Sequence, residues 1–487
     1  MHILVRLAGE MIIKSPYVRR QFYQRLMANI RAAFKQHQLA VRLSEEGGIA
    51  HVYCHSPETP LILSRIFGIK SYSLIEATCP STLEAIVSTG NEYYRESIIG
   101  KSFAIRAQRS GKHPFSSLDV QIALGSALKL ASGGNVKLKA PDRTIHVHTR
   151  GETTYFYSAS LPGPGGFPLG SEGRALCLLS GGFDSAVAAW LCQKRGIAVD
   201  YVFFNLAGAA YEHSVLKVAK HLNDTWSYGS TAKLHIIDFN PVAANLRQTV
   251  QAPRFLQVIL KRSFYRAACR LAGLSRNQAI ITGEAIGQVS SQTLPNLATI
   301  EQVASMPVLR PLLCMDKDEI IAISRRIGTF ELTKNTQEFC QLTTEKPATA
   351  CKAWQAEKAE EMVAMDLLTQ AVENRRVIAL AELSLDTQLE HYIFVDTLPP
   401  AAVLIDCRSK EEYESWHPSQ ALHHEFSELS EGFTTLPATP SYVIFCALGV
   451  QSAIIAEKMQ ARGYQAYSFK GGSLPLKNYL ALASLSH

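Results

Sequence analysis

No C-x-x-C pair occurs among the 10 cysteines of this 487-residue chain. That absence argues against zinc fingers, thioredoxin-type chemistry and a simple iron–sulfur arrangement, and scattered thiols suit a reducing compartment. No apolar run approaches the roughly 20 residues that a membrane helix needs. The opening Met1–Glu10 also lacks the long apolar core of a secretory signal, so a cytoplasmic protein with no membrane partner is expected. Acidic residues are scarce at one end. Residues 1–170 hold 20 Lys+Arg against 11 Asp+Glu, whereas the rest hold 29 against 31. All the excess charge therefore sits in the N-terminal third, which a polyanion such as RNA would meet first. The kinase-type phosphate loop G-x-x-x-x-G-K-[ST] is missing as well.

What is present centres on Leu178-Leu179-Ser180-Gly181-Gly182-Phe183-Asp184-Ser185. The apolar run 174–179 ahead of it reads as a buried parallel strand, and 186–195 reads as a helix ended by Gly196. Two glycines let the backbone turn sharply and bring its N–H groups, with the helix N-terminus behind them, against an anion. Asp184 and Ser185 suit the first helical turn, where their oxygens can reach magnesium or phosphate. Ser-Gly-Gly-Phe-Asp-Ser resembles the pyrophosphate loop of enzymes that cleave ATP between the α- and β-phosphates. ATP with magnesium is the expected substrate pair, with no bound metal cluster.

The length allows three or four domains. A strand at 2–7, a basic helix Tyr17–Gln36, strands near 40–43 and 50–54 and a helix 57–69 open a ferredoxin-like unit over residues 1–75. Residues 76–165 alternate helices (82–95, 116–131) with strands near 102–106, 136–138, 144–148 and 153–159. This second unit resembles a THUMP domain, an RNA-binding module, with Lys101, Arg106, Arg109, Lys112 and Arg143 as RNA-facing candidates. A Pro/Gly-rich linker, 161–170, closes it. From 171 to 375, short apolar strands alternate with helices, as in a doubly wound parallel sheet. Ligands bind at the carboxyl ends of such strands, where 204–210, 282–288 and 290–294 should lie. The acid-free helix 254–272 presents Arg254, Arg262, Arg266 and Arg270, read as a solvated or RNA-facing row.

A helical stretch 357–374 leads into a linker, 376–400, and then a small α/β domain, 401–487. There Val443-Ile-Phe-Cys446 ends a strand, and Ala453–Arg462 reads as a helix after the loop. A cysteine cupped by backbone N–H groups at a helix N-terminus has its thiolate stabilised and can carry sulfane sulfur. That loop and Asp406-Cys-Arg-Ser-Lys-Glu-Glu-Tyr413 resemble a rhodanese. The loop lacks the Arg or Lys common in sulfurtransferases, so thiosulfate turnover is not assured.

With Gly9-Glu-Met-Ile-Ile-Lys-Ser15 and Glu338-Phe-Cys-Gln341, these parts resemble the ThiI family of tRNA 4-thiouridine synthetases, in its long form with a rhodanese extension. The resemblance spans essentially the whole chain. It implies an α/β multidomain protein: a ferredoxin-like domain, a THUMP domain, a doubly wound pyrophosphate-loop ATPase domain and a rhodanese-like domain. It places ATP against Leu178, Leu179, Ser180, Gly181, Gly182, Ser185, Lys261, Gly283 and Gln292. Asp184 is implied in adenylylation, Cys446 as the persulfide carrier and Cys340 as its disulfide partner. Implied partners are tRNA, a cysteine desulfurase and the sulfur-carrier protein of thiazole synthesis, with a homodimer allowed for. Two other readings stay open: a tRNA thiolase acting on another base, and a non-catalytic sulfur carrier or RNA-binding protein. A second glycine expected near 207 is Ala207 here.

Overall fold

The computed structural model of the protein describes residues 1–46, 49–206, 208–333, 346–385, 393–447 and 449–484. These residues form four sheets distributed over two compact units.

The N-terminal unit holds two five-stranded sheets. In the first, the strands run in the order 161–162, 69–74, 2–7, 49–53, 42–46. Its helix Pro16–Gln36 starts cleanly because Pro16 occupies the first turn and the Ser15 hydroxyl accepts from Val18 N. Phe22, Leu26, Ile30 and Phe34, spaced by four, pack its inner face into the core. The helix expected over 57–69 is only Thr59–Leu63, and Ile69–Leu74 is a strand. The helix ends at Leu63, and Gly68, at φ +97, turns the chain into that strand. Leu161–Pro162, expected within a linker, adds an edge strand by pairing with Tyr72 and Ser71. Proline is tolerated there because an edge strand need not donate outward.

The second sheet runs 77–80, 153–157, 143–150, 102–110, 135–136. Helices Leu83–Tyr94 and Ser117–Ser132 pack with it around Ile86, Leu124, Leu128 and Phe156. A Ser116–Asp119 capping box starts the second helix, and left-handed Gly133 ends it.

In the C-terminal unit, the first sheet runs 308–309, 280–281, 174–178, 198–205, 233–238, 376–379. All neighbours are parallel except Arg376–Ala379, which pairs antiparallel with Lys233–Asp238. Strand order reverses between 174–178 and 280–281, which is where doubly wound sheets open a ligand crevice. The last sheet runs 394–395, 465–469, 441–445, 403–406, 422–423, entirely parallel. The expected linker 376–400 therefore contributes a strand to each sheet at its two ends. Both are short edge strands, whose ladders are completed by distant residues that no local pattern announces. The helical stretch expected over 357–374 is two helices, Ala353–Glu360 and Met365–Glu373.

Candidate active site

Strand Arg174–Leu178 delivers the chain to the crevice, and the Leu179 N–H closes the sheet by donating to Val202 O at 2.9 Å. The next residues wind on themselves before helix Phe183–Lys194 begins. Ser185 Oγ accepts from Ser180 N at 3.0 Å and sits 3.2 Å from the Gly182 carbonyl. Gly182 N donates to Ser180 Oγ at 3.3 Å, and Gly181 N to the Tyr211 hydroxyl at 3.1 Å. Gly283 backs this turn so closely that a Cβ there would lie 2.6 Å from Ser185 N.

One cavity opens above the turn, lined by Leu178, Leu179, Ser180, Asp184 and Ser185 together with Lys261, Gly283 and Gln292. Gly181 and Gly182 form the turn at its edge. Three segments far apart in sequence thus converge on one space.

Of the further lining residues, Phe204 and Leu206 lie in the expected segment 204–210 and Thr282 and Glu284 in 282–288, whereas Phe203, Phe264 and Tyr265 belong to none of the three expected segments. Phe204 stacks on Phe264, with centroids 4.6 Å apart at 15°, and Phe203 and Leu206 extend this apolar wall. Their signal was the aromatic pair ending strand Ala198–Asn205. Glu284 lies 3% exposed and accepts from the Tyr265 hydroxyl at 2.5 Å, Thr282 Oγ1 at 3.0 Å and Arg310 Nε at 3.1 Å. Its second oxygen is 3.9 Å from Lys261 Nζ. Burial pushes the Glu284 carboxyl up, but Lys261, the Tyr265 hydrogen bond and Arg310 outweigh it and hold the group below its ordinary range. The pocket thus keeps a buried anion under a lysine.

Asp184 is also held from outside its own segment. Lys317 Nζ lies 3.0 and 3.2 Å from its two oxygens and 4.3 Å over the Phe183 ring. Lys317 opens helix Lys317–Ile327, an element that carried no motif. No cluster of three His, Cys, Asp or Glu side chains suited to a metal occurs among the described residues.

The basic helix Leu256–Leu274 does not present the arginine row expected of it. Arg262 is 2% exposed and, with Arg266, clamps Glu360 through four hydrogen bonds of 2.7–3.0 Å. Arg270 pairs with Glu373 at 3.0 Å, leaving Arg254, exposed beside Phe255. Buried Arg262 is held by a carboxylate because an unpaired charge there costs several kcal/mol, so Arg262 is structural, while Arg254 and Arg270 stay at the surface.

Cys446 follows strand Ser441–Phe445 and is 0% exposed. Its sulfur accepts from Gly449 N at 3.2 Å and Ser452 Oγ at 3.4 Å, at the start of helix Val450–Gln460. Gly449 adopts φ +82, which lets the chain double back so that its own N–H faces the sulfur. Arg408 is committed to Asp406, Nη2 to Oδ2 at 2.6 Å. Cys340 and Ala207 lie outside the described residues.

In the N-terminal unit, Arg106 donates to Leu138 O at 2.5 Å, Arg109 to His113 O at 3.0 Å and Arg143 to Ser158 Oγ at 3.4 Å. Lys101 and Lys112 are exposed. These three contacts join none of the five candidates to another. A cleft of about 730 Å³ instead gathers Arg6, Arg19, Arg20, Lys70 and Arg150 around His148, with Glu45 as its acid. Burial, with Arg6 and Arg150 nearby, lowers the His148 pKa to about 4, so it is neutral near pH 7.

Four family models match the chain: a ThiI ferredoxin-like domain over 2–73, a THUMP domain over 80–159, "Thiamine biosynthesis protein (ThiI)" over 170–365 and a rhodanese-like domain over 395–477. A tRNA sulfurtransferase of Pyrobaculum aerophilum is 34% identical, covering 96% of this chain and 97% of that protein. One of Shewanella halifaxensis is 33% identical, over 95% and 98%. Among solved structures, a 4-thiouridine synthetase–RNA complex with bound ATP aligns with a TM-score of 0.66 at 26% identity. It covers 77% of this chain and 98% of that one.

Proposed function

This chain belongs to the ThiI family of tRNA sulfurtransferases, and we propose from that premise that it makes 4-thiouridine at position 8 of tRNA at the expense of ATP. The observation that carries the reading is the convergence of the 180–185 turn with Lys261, Gly283 and Gln292 on one cavity at the sheet's reversal point.

In this reading the adenine and ribose lie along the Phe204–Phe264 wall, and the phosphates meet the turn and the start of helix Phe183–Lys194. The residues present suit magnesium arriving with ATP. Asp184 is a carboxylate 17% exposed at the mouth of the turn, with Lys317 Nζ 3.0 Å away. Magnesium would screen the pyrophosphate, while Lys261 and Lys317 supply fixed positive charge. Uracil O4 attacks the α-phosphorus, pyrophosphate leaves, and C4 becomes electrophilic. Sulfur then comes from a Cys446 persulfide, directly or as hydrosulfide, and AMP departs. Gly449 N and Ser452 Oγ would stabilise the Cys446 sulfur as an anion.

Cys340 is assigned the attack that closes a Cys340–Cys446 disulfide. A cysteine desulfurase loads Cys446, and the same persulfide serves the sulfur-carrier protein of thiazole synthesis. The tRNA docks on the N-terminal unit through its basic cleft. No helix among the described residues is long and apolar enough to cross a membrane. The domains are assigned as 1–75, 76–165, 171–375 and 401–487, with strand Arg376–Ala379 joined to the third.

Asp184→Ala tests the nucleotide assignment. Thiolation and tRNA-dependent AMP formation should fall by about 10²-fold or more, the scale of losing one charge-stabilising group. Binding of tRNA and persulfidation of Cys446 should be retained. AMP formation at the wild-type rate would refute the assignment.

A further inference from the structure

Cys407 is a thiol that the scheme above leaves unused, although it is 1% exposed and lies on the strand beside the persulfide carrier. Strands Val403–Asp406 and Ser441–Phe445 run parallel, with Asp406 paired to Phe445. The ladder continues one residue further, since Cys407 N donates to Phe445 O at 2.9 Å. Cys407 and Cys446 are therefore the next residues on adjacent strands and share a sheet face. Neighbouring strands lie about 4.7–4.9 Å apart. That spacing falls within the roughly 4.4–6.8 Å between Cα atoms that a disulfide accepts.

From this register we infer that Cys407 is a second resolving thiol, able to discharge the Cys446 persulfide inside the C-terminal domain. The inference rests on the assignment of Cys446 as the persulfide carrier and adds a residue to it. Cys407 Sγ attacks Cys446 Sγ, a sulfur–sulfur bond forms between the two residues, and the bond from Cys446 Sγ to the terminal sulfur breaks. The terminal sulfur leaves as hydrosulfide, taking the Cys407 proton. The sulfane sulfur gains two electrons and the two cysteine sulfurs together lose two, so no outside oxidant is required.

The surroundings suit such a step. Burial, then the hydrogen bond to Cys446 and the charge of Asp406, raise the Cys407 thiol well above its ordinary range. Cys407 therefore keeps its proton until a leaving sulfur takes it. Positioning beside the target offsets the weak nucleophilicity of a protonated thiol. The burial of Cys446 also hinders thiols in solution, against which Cys407 needs no approach. Each discharge leaves a Cys407–Cys446 disulfide, and cellular dithiols must reopen it before the next round.

The full-length Cys340→Ala protein isolates this route. It is loaded with a low-molecular-weight hydropersulfide, freed of excess reagent and kept without reductant. The expectation is release of about one hydrosulfide per loaded chain and a peptide cross-link joining Cys407 to Cys446. Cys340→Ala/Cys407→Val and Cys340→Ala/Cys407→Ser should instead retain the persulfide, with release slowed about tenfold or more. If Cys446 in Cys340→Ala keeps its persulfide while Cys407 alkylates as a thiol after denaturation, the inference is overturned. That outcome needs no Cys407 variant to fold. If no sulfane sulfur appears at Cys446 in any protein, the carrier assignment itself falls and takes the inference with it.

Discussion

A missing methyl group decides whether the 180–185 turn can close. Gly283 has no Cβ, and one would sit 2.6 Å from Ser185 N and 2.7 Å from Asp184 C, both main-chain atoms that cannot swing aside. Gly283→Ala should cost about 1–3 kcal/mol, as overpacking does. It should also push the turn out of the cavity, weakening nucleotide binding about tenfold or more. ATP titration and thermal unfolding of the same preparation would check both. Unchanged affinity would mean that this contact does not shape the site. The arginines of helix Leu256–Leu274 teach the reverse lesson. Read locally, they looked like a free basic face, but Arg262 and Arg266 meet Glu360, and Arg270 meets Glu373, about a hundred residues further on. No window along the chain contains both halves of those pairs.

Among elements, helix Ala209–Trp226 starts without a side-chain cap of its own. Its first amides are satisfied instead by Glu457 of helix Val450–Gln460, whose two oxygens accept from Ala209 N at 2.8 Å and Ala210 N at 2.9 Å. A carboxylate at a helix N-terminus meets both orphan N–H groups and the helix dipole, together worth about 0.5–2 kcal/mol. The capped helix carries Tyr211, whose hydroxyl accepts from Gly181 in the nucleotide turn. The rhodanese-like domain is thereby tied to the element that supports the ATP pocket. Glu457→Ala should speed hydrogen exchange at Ala209 and Ala210 several-fold, in line with a cap of that size. The core of strand Arg174–Leu178 should be left alone. Equal exchange in variant and wild type would show that the carboxylate contributes no cap.

Over the whole molecule, charge follows the domain order. Residues 1–170 carry the positive excess, but the cleft that concentrates it is assembled from residues 6, 19, 20, 70 and 150. If this cleft holds the tRNA backbone, each of Arg19→Ala, Arg20→Ala and Arg150→Ala removes one phosphate contact. Each should then reduce the slope of log affinity against log salt by about 0.7–0.9. Filter binding of tRNA at several salt concentrations measures this directly. Wild-type slopes in all three variants would move the tRNA face elsewhere, with Lys101 and Lys112 as the exposed alternatives.

The sequence alone determined whatever is local. The strand–glycine turn–helix at 174–194, the four domain types in their order and the Cys446 loop are written in contiguous residues, because backbone propensity and apolar periodicity act over a few positions. Short edge strands at 161–162, 376–379 and 394–395 escaped, since each is stabilised by a distant partner strand rather than by its own pattern. Only the tertiary structure placed Lys317 on Asp184, Arg310 and Tyr265 on Glu284, Glu457 on Ala209 and Cys407 beside Cys446. The first three are pairings of groups far apart in sequence that become neighbours when charges and hydrogen-bonding groups must be satisfied on burial. The last follows from strand register, which packing of two sheet faces sets and which no single strand contains.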